Sequence, residues 1–270
     1  MPDMEYVQTR REGPVLVVTL TNPPRNFMNG PMVLEMAQTI DAVERDAEVR
    51  AIVFTGGVDG IFITHYDVGE LSRASDTTRE QVLAPREPSR HVDLHPLNKL
   101  LLQLQTLPQP VIAAINGTAM GGGCEFTLAC DFRIMARGYQ IGLPEVRVGI
   151  LPGAGGTQRM ARLLGTAKAL ELMLLGNTVD ADTAASIGLV HRAVDKDRVL
   201  PEAMALANEL ASRPRLSVAL IKKCVIDGVQ MPLEEGLRLE QRSFSETMRS
   251  DDASRLMRAY LTSERPLNEQ

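Results

Sequence analysis

The stretch AAINGTAMGGGCEFTLACD, residues 113–131, decides how the rest of the chain is read. It continues a short run, residues 111–116 (VIAAIN), that is apolar on both faces, as a buried strand would be. Gly121-Gly-Gly123 then leads into an apolar helical segment, residues 125–130. Glycines at a helix start let the backbone approach a ligand closely and leave N–H donors aimed at it, backed by the helix dipole. Such donors suit a developing oxyanion, where one of them is worth roughly a hundred- to a thousandfold in rate. Tight packing of the helix on a sheet accounts for the same glycines without any ligand, so both readings stand at this point.

Working outward, the first half alternates strand and helix signals. Residues 15–20 (VLVVTL) form a β-branched run ended by Asn22-Pro23-Pro24, a turn signal. Residues 31–45 carry Val33, Met36, Ala37, Ile40 and Val43 at three- and four-residue steps, one face of an amphipathic helix, with Pro31 in the first turn. Residues 51–55 (AIVFT) and 131–136 (DFRIMA) read as further buried strands. Helices are expected over 156–164, 167–175, 181–187, 198–212, 216–229 and from 233 to about 260. Strands with crossovers first and helices afterwards predict a sheet-based core and a helical tail, changing near Arg213-Pro214. Residues 72–96, polar and with three prolines, read as a long loop.

A second glycine-rich stretch, GILPGAGGTQ at 149–158, looks like a phosphate loop but lacks the Gly-Lys-Ser/Thr ending and the GxGxxG order, so nucleotide binding is not expected there. Glu125 lies three residues after Gly122, and Glu145 follows Gly142-Leu-Pro144 just before the second glycine loop. Two carboxylates, each tied to a glycine-rich turn, point to a general acid/base pair. Cys124 is a rival nucleophile at a helix N-terminus. Adjacent helical residues diverge by about 100°, so Cys124 and Glu125 cannot both face one site. Cys124, Cys130 and Cys224 are therefore read as small core residues.

Composition narrows the classes. At 270 residues the chain fits one large domain or two smaller ones. A net charge of −5, 4% aromatic residues and no tryptophan argue against nucleic acid and anionic membranes as partners. Three cysteines without a CxxC point to a reducing, cytoplasmic compartment. The polar N-terminus has no signal-peptide core, and no apolar run approaches the ~20 residues that span a bilayer. His91, His95 and His191 have no ligand spacing, so no metal site is expected.

Residues 113–131, together with LPEVRVGILPGAGGTQR at 143–159 and AASIGLV at 184–190, resemble the signature of the crotonase (enoyl-CoA hydratase/isomerase) superfamily, over nearly the whole chain from about Val15. The resemblance implies an α/β fold, a crotonase-like spiral of ββα repeats with a C-terminal helical trimerisation region. That divides the chain into residues 1–213, the core with the acyl-CoA site, and 214–270, for subunit association as a homotrimer or hexamer. It implies an acyl-CoA thioester as substrate, no cofactor other than the coenzyme A carried by that substrate, and no metal. The backbone N–H groups of Tyr66, in FITHYD at 62–67, and of Gly122 would form the oxyanion hole. Glu125 and Glu145 fill both glutamate positions of enoyl-CoA hydratases, with the Gly153 N–H as a contact to their shared water.

Substrate or coenzyme A contacts carry over to Arg25, Thr64, His65, Asp67, Val68, Gly121, Leu143 and Pro144, and Arg265 is a further candidate for a phosphate. A net-negative protein that binds a polyanion must concentrate positive charge locally. Many family members have glycine where His65 stands, a position where a side chain must be accommodated in the turn or project into the acyl pocket. The expected reaction is hydration of a 2,3-enoyl-CoA to a 3-hydroxyacyl-CoA. The alternatives are another crotonase-type reaction (enoyl-CoA isomerase, hydratase-lyase or dehydratase) or a non-catalytic RNA- or protein-binding member.

Overall fold

The computed structural model describes residues 4–82, 93–263 and 265–267. Among them, strand pairs climb through two sheets. β1 (Val7–Glu12) and β2 (Val15–Leu20) form an antiparallel hairpin, and α1 (Gly30–Arg45) follows. β3 (Ala51–Gly56) and β4 (Ile61–Ile63) lead to α2 (Val68–Val82) and α3 (Pro96–Thr106). β5 (Val111–Ile115) and β6 (Thr118–Met120) lead to α4 (Gly122–Ala129). β7 (Phe132–Ala136) and β8 (Gln140–Gly142) lead to α5 (Gly156–Leu164) and α6 (Thr166–Leu175). β9 (Thr178–Asp180), α7 (Ala181–Ser186), β10 (Arg192–Val194) and α8 (Val199–Ser212) complete the core. Three helices end the chain: α9 (Arg215–Gly228), α10 (Leu233–Met248) and α11 (Asp251–Leu261).

In the pairs β3/β4, β5/β6 and β7/β8, the first strand joins a sheet of order β1-β2-β3-β5-β7-β10 and the second joins one of order β4-β6-β8-β9. β2, β3, β5, β7 and β10 are mutually parallel, as right-handed crossovers require. β3 and β5 are buried at every position, which is why they read as unbroken apolar runs rather than alternating ones. Asn116, at the corner between β5 and β6, accepts from the Gly56 N–H at 3.0 Å and donates to the Gly56 carbonyl at 2.8 Å, tying one turn of the spiral to the previous one. One face of the large sheet packs on α8 through Val199, Ala203 and Ala207; the other meets α1, α3 and α4.

The expected spiral is observed, with three local corrections. Residues 72–96 do not begin as a loop: α2 runs to Val82, residues 83–92 lie outside the described part, and α3 starts at Pro96. α2 was hidden because its face is polar, whereas Asp67 Oδ1 caps it by accepting from the Gly69 N–H at 2.7 Å. The helix expected over 233–260 is two helices, separated where the Ser250 side chain accepts from the Ala253 N–H and starts α11. Cys124 and Cys130 are core residues, but Cys224 is only half-buried, because α9 leaves one face uncovered.

α9 is fastened to the core by charge as well as packing. Lys222 Nζ lies 2.7 Å from Asp131 Oδ2 and donates to the Gln109 carbonyl at 3.1 Å. Among the described residues, no helix is long and apolar enough to cross a membrane.

Candidate active site

Two helix N-termini and one sharp turn converge around Glu125 and Glu145. Gly121 precedes α4 at φ 51° and ψ −125°, a conformation that a side chain rarely adopts. A Cβ there would sit 3.2 Å from Glu145 Oε1 and 3.3 Å from the His65 Cβ, so the three residues share one wall. Glu125 lies in the first turn of α4 and is 3% exposed. Its Oε1 accepts from the Ala154 N–H at 2.7 Å and the Gly156 N–H at 2.8 Å, at the start of α5.

These donors and the Arg159 charge favour the carboxylate, but burial outweighs them and holds the Glu125 pKa above its ordinary value. Arg159 also keeps the loop in shape. It donates through Nη1 to the Ala154 carbonyl at 2.9 Å and through Nε to Gln105 Oε1 at 3.1 Å.

Glu145 opens a single 3-10 turn after Pro144. Its Oε2 is buried and, among the described residues, has no hydrogen-bond partner. Burial, followed by the nearby Glu125 charge, pushes its pKa up to about 7 against the pull of its own backbone N–H. One carboxylate is thus clamped by fixed donors, and the other is left with a buried, unsatisfied oxygen. Their titrations are coupled, so the proton belongs to the pair.

The third component is the turn carrying Tyr66. Residues 22–29 form a brace beneath it. Asn26 is fully buried at φ 50°, donates to the Leu20 and Phe62 carbonyls at 3.0 and 2.6 Å, and accepts from the Asn22 N–H. Met28 donates to the His65 carbonyl at 3.0 Å and accepts from the Asp67 N–H at 2.7 Å. The Tyr66 hydroxyl donates to Glu70 at 2.9 Å, and Glu70 accepts from the Gly30 N–H at the start of α1. A Cβ on Gly122 would lie 3.4 Å from the Tyr66 nitrogen, so the Tyr66 and Gly122 N–H groups border one small space. Neither donates to an acceptor among the described residues.

The remaining candidates separate into several places. Thr64 donates to the Arg25 carbonyl and so ties the brace to the turn. Asp67 is occupied as the cap of α2, and Val68 is exposed on that helix. The Arg25 guanidinium stands 6.0 Å from the centre of the Phe27 ring, at the surface. Leu143 is buried against Gly156, while Gly153 is exposed and its carbonyl accepts from Asn98 at 2.9 Å. Arg265 lies beyond α11, in the last described residues.

Sequence reasoning missed Ala154 and Gly156 as holders of Glu125, and also Asn26, Phe27, Met28, Glu70 and Arg159. Asn22-Pro23-Pro24 was a legible turn signal, but nothing local says which strand end a turn braces.

Known proteins match this chain along nearly its whole length. The family model described as enoyl-CoA hydratase/isomerase matches residues 10–270. The chain is 33% identical over 262 residues to the short-chain-enoyl-CoA hydratase of Clostridium acetobutylicum, covering 96% of this chain and 95% of that one. It is also 33% identical over 248 residues to the crotonyl-CoA hydratase of Syntrophomonas wolfei, covering 91% of each. A crystal structure of an enoyl-CoA hydratase from Bacillus anthracis superposes with a TM-score of 0.85 at 30% identity, covering 95% of this chain and 96% of that one. Matched along nearly its whole length, the chain belongs to the enoyl-CoA hydratase/isomerase family.

Proposed function

We propose that the protein is an enoyl-CoA hydratase, a hydro-lyase that adds water across the 2,3 double bond of an enoyl-CoA thioester to give a 3-hydroxyacyl-CoA. The observation that carries this reading is the pair of glutamates. Glu125 is clamped by the Ala154 and Gly156 N–H groups, while Glu145 presents an unpartnered buried oxygen beside it. Glu125 takes a proton from water as the oxygen bonds to Cβ. The electron pair of the double bond moves onto the thioester oxygen as an enolate, facing the N–H groups of Tyr66 and Gly122. Glu145 then delivers a proton to Cα as the enolate collapses. A buried, electrically strained carboxyl with a pKa near 7 is suited to holding that proton at neutral pH.

The shared water would also reach the Gly153 N–H, and Arg25 and Arg265 would meet the coenzyme A phosphates. Residues 214–270 are assigned to self-association as a trimer or hexamer. The support is the exposed apolar faces of α9 to α11, which carry Ile221, Val225, Leu237, Phe244 and Leu261.

The test is the loss of enoyl-thioester absorbance with crotonyl-CoA and with a longer or aryl enoyl-CoA. Glu125→Gln and Glu145→Gln should each lower kcat by about 10²–10⁴-fold. Near wild-type turnover in both variants, or no hydration of any enoyl-CoA by the wild type, would overturn the assignment.

A further inference from the structure

The Tyr66 N–H can polarise a thioester only if the turn aims it, and the aim is decided by two peptide units. The unit joining His65 to Tyr66 and the unit joining Tyr66 to Asp67 carry four polar groups between them. Met28 occupies two of these, donating to the His65 carbonyl at 3.0 Å and accepting from the Asp67 N–H at 2.7 Å. The third, the Tyr66 carbonyl, lies 2.7 Å from His65 Nδ1. A carbonyl only accepts, so Nδ1 carries the hydrogen and donates it. The one group left over is the Tyr66 N–H. In a trans peptide it points away from the carbonyl that Met28 holds.

The imidazole is itself held. Its ring stacks on Phe27 with centroids 4.6 Å apart and an interplanar angle of 27°, and Phe27 sits between Asn26 and Met28 in the brace. His65 pays no backbone penalty for this, since Asn26 is the one non-glycine residue at positive φ among those described. The side chain is therefore accommodated in the turn rather than strained by it, and it points at the backbone of its neighbour.

We propose that His65 is a positioning residue: its Nδ1–H, bound to the Tyr66 carbonyl, locks the turn that aims the Tyr66 N–H at the substrate's thioester oxygen. The proposal rests on the hydratase reading for its substrate class. Its effect passes through the Tyr66 peptide, so His65 need not touch the reacting atoms.

Two substitutions divide the side chain's features. His65→Phe keeps a ring to stack on Phe27 and removes the N–H. His65→Asn removes the ring but carries an amide nitrogen on Cγ, where Nδ1 stands. The readouts are kcat, KM and the red shift of a bound aryl enoyl-CoA, which reports polarisation of the thioester carbonyl. His65→Phe should lose more than half of the red shift and about tenfold in kcat, with KM changing less than threefold. His65→Asn should recover most of both losses.

A full red shift and kcat in His65→Phe would overturn the proposal. So would equal losses in the two variants, which would assign the effect to the ring. If either variant fails to fold, His65→Ala and His65→Ser make the same comparison of no donor against a short donor. A wild-type red shift without turnover would remove the hydratase reading while the variants still decide the positioning role. No wild-type shift at all would remove both.

Discussion

Glu145 shows how one residue joins stability to chemistry. Burial lifts its pKa to about 7, so the folded protein holds a proton that the unfolded chain would have released in the ordinary carboxylate range. The stability associated with this group is fully present below that range and declines as pH rises through about 7, where the buried oxygen becomes charged without a partner. Glu145→Gln should therefore melt above the wild type at pH 8. The advantage should shrink as pH falls toward 5, read by thermal unfolding across a pH series. An advantage that is constant with pH would assign the effect to packing instead. Site residues of this kind commonly cost stability for the sake of function. The identity of both glutamates was legible in the sequence, because each follows a glycine turn. The difference between them was not, since the N–H groups that clamp Glu125 arrive from residues 154–156, about thirty positions later.

At the scale of elements, the site depends on where helices begin. α4 presents the Gly122 N–H at its start, and α5 presents the Gly156 N–H to Glu125. An anion at a helix N-terminus is favoured by the aligned peptide dipoles. The price of this close approach is a position, Gly156, with no room for a side chain. A Cβ on Gly156 would lie 2.9 Å from Glu125 Oε1 and 2.8 Å from Leu143 Cδ1. Gly156→Ala should displace the carboxylate and lower kcat at least about tenfold, with far-ultraviolet circular dichroism unchanged. Wild-type kcat in that variant would mean the clamp is not needed for the reaction. The main helices and the central strands were readable from periodicity and apolar runs. β4, β6 and β8 were not, because three residues are too few for any period. β1 escaped for another reason: it is an edge strand whose residues, from Gln8 to Arg11, face solvent.

Across the whole molecule, the core and the tail differ in how they are satisfied. The core buries most of its strand residues, whereas α9 and α11 have none that are fully buried. Ile221 and Val225, on one face of α9, are 65% and 60% exposed, and Leu261 at the end of α11 is 81% exposed. A surface of that character is expected to meet another chain. Ile221→Asp combined with Val225→Asp should shift the protein to a smaller species in sedimentation velocity, while the Lys222–Asp131 pair keeps α9 on its own core. An unchanged sedimentation coefficient would remove α9 from the interface.

The sequence by itself determined a sheet-based core followed by helices, the main helices and central strands, the two glycine loops and the glutamates beside them, while the spiral was only what the family resemblance implied. These are local matters of apolar runs, helical spacing and turn residues. Only the tertiary structure decided what the first glycine loop lies against. It brings the Tyr66 and Gly122 N–H groups to one space, because a turn after β4 and the start of α4 lie on successive levels of the same spiral. It also supplied the contacts from which a role for His65 is proposed. Whether a side chain at that position fills a pocket or braces a peptide depends on Phe27 and Met28, delivered from some forty positions earlier by the brace after β2. Hydrogen-bond direction and ring stacking across such separations leave no trace in composition or periodicity, since they form only once the strands have paired.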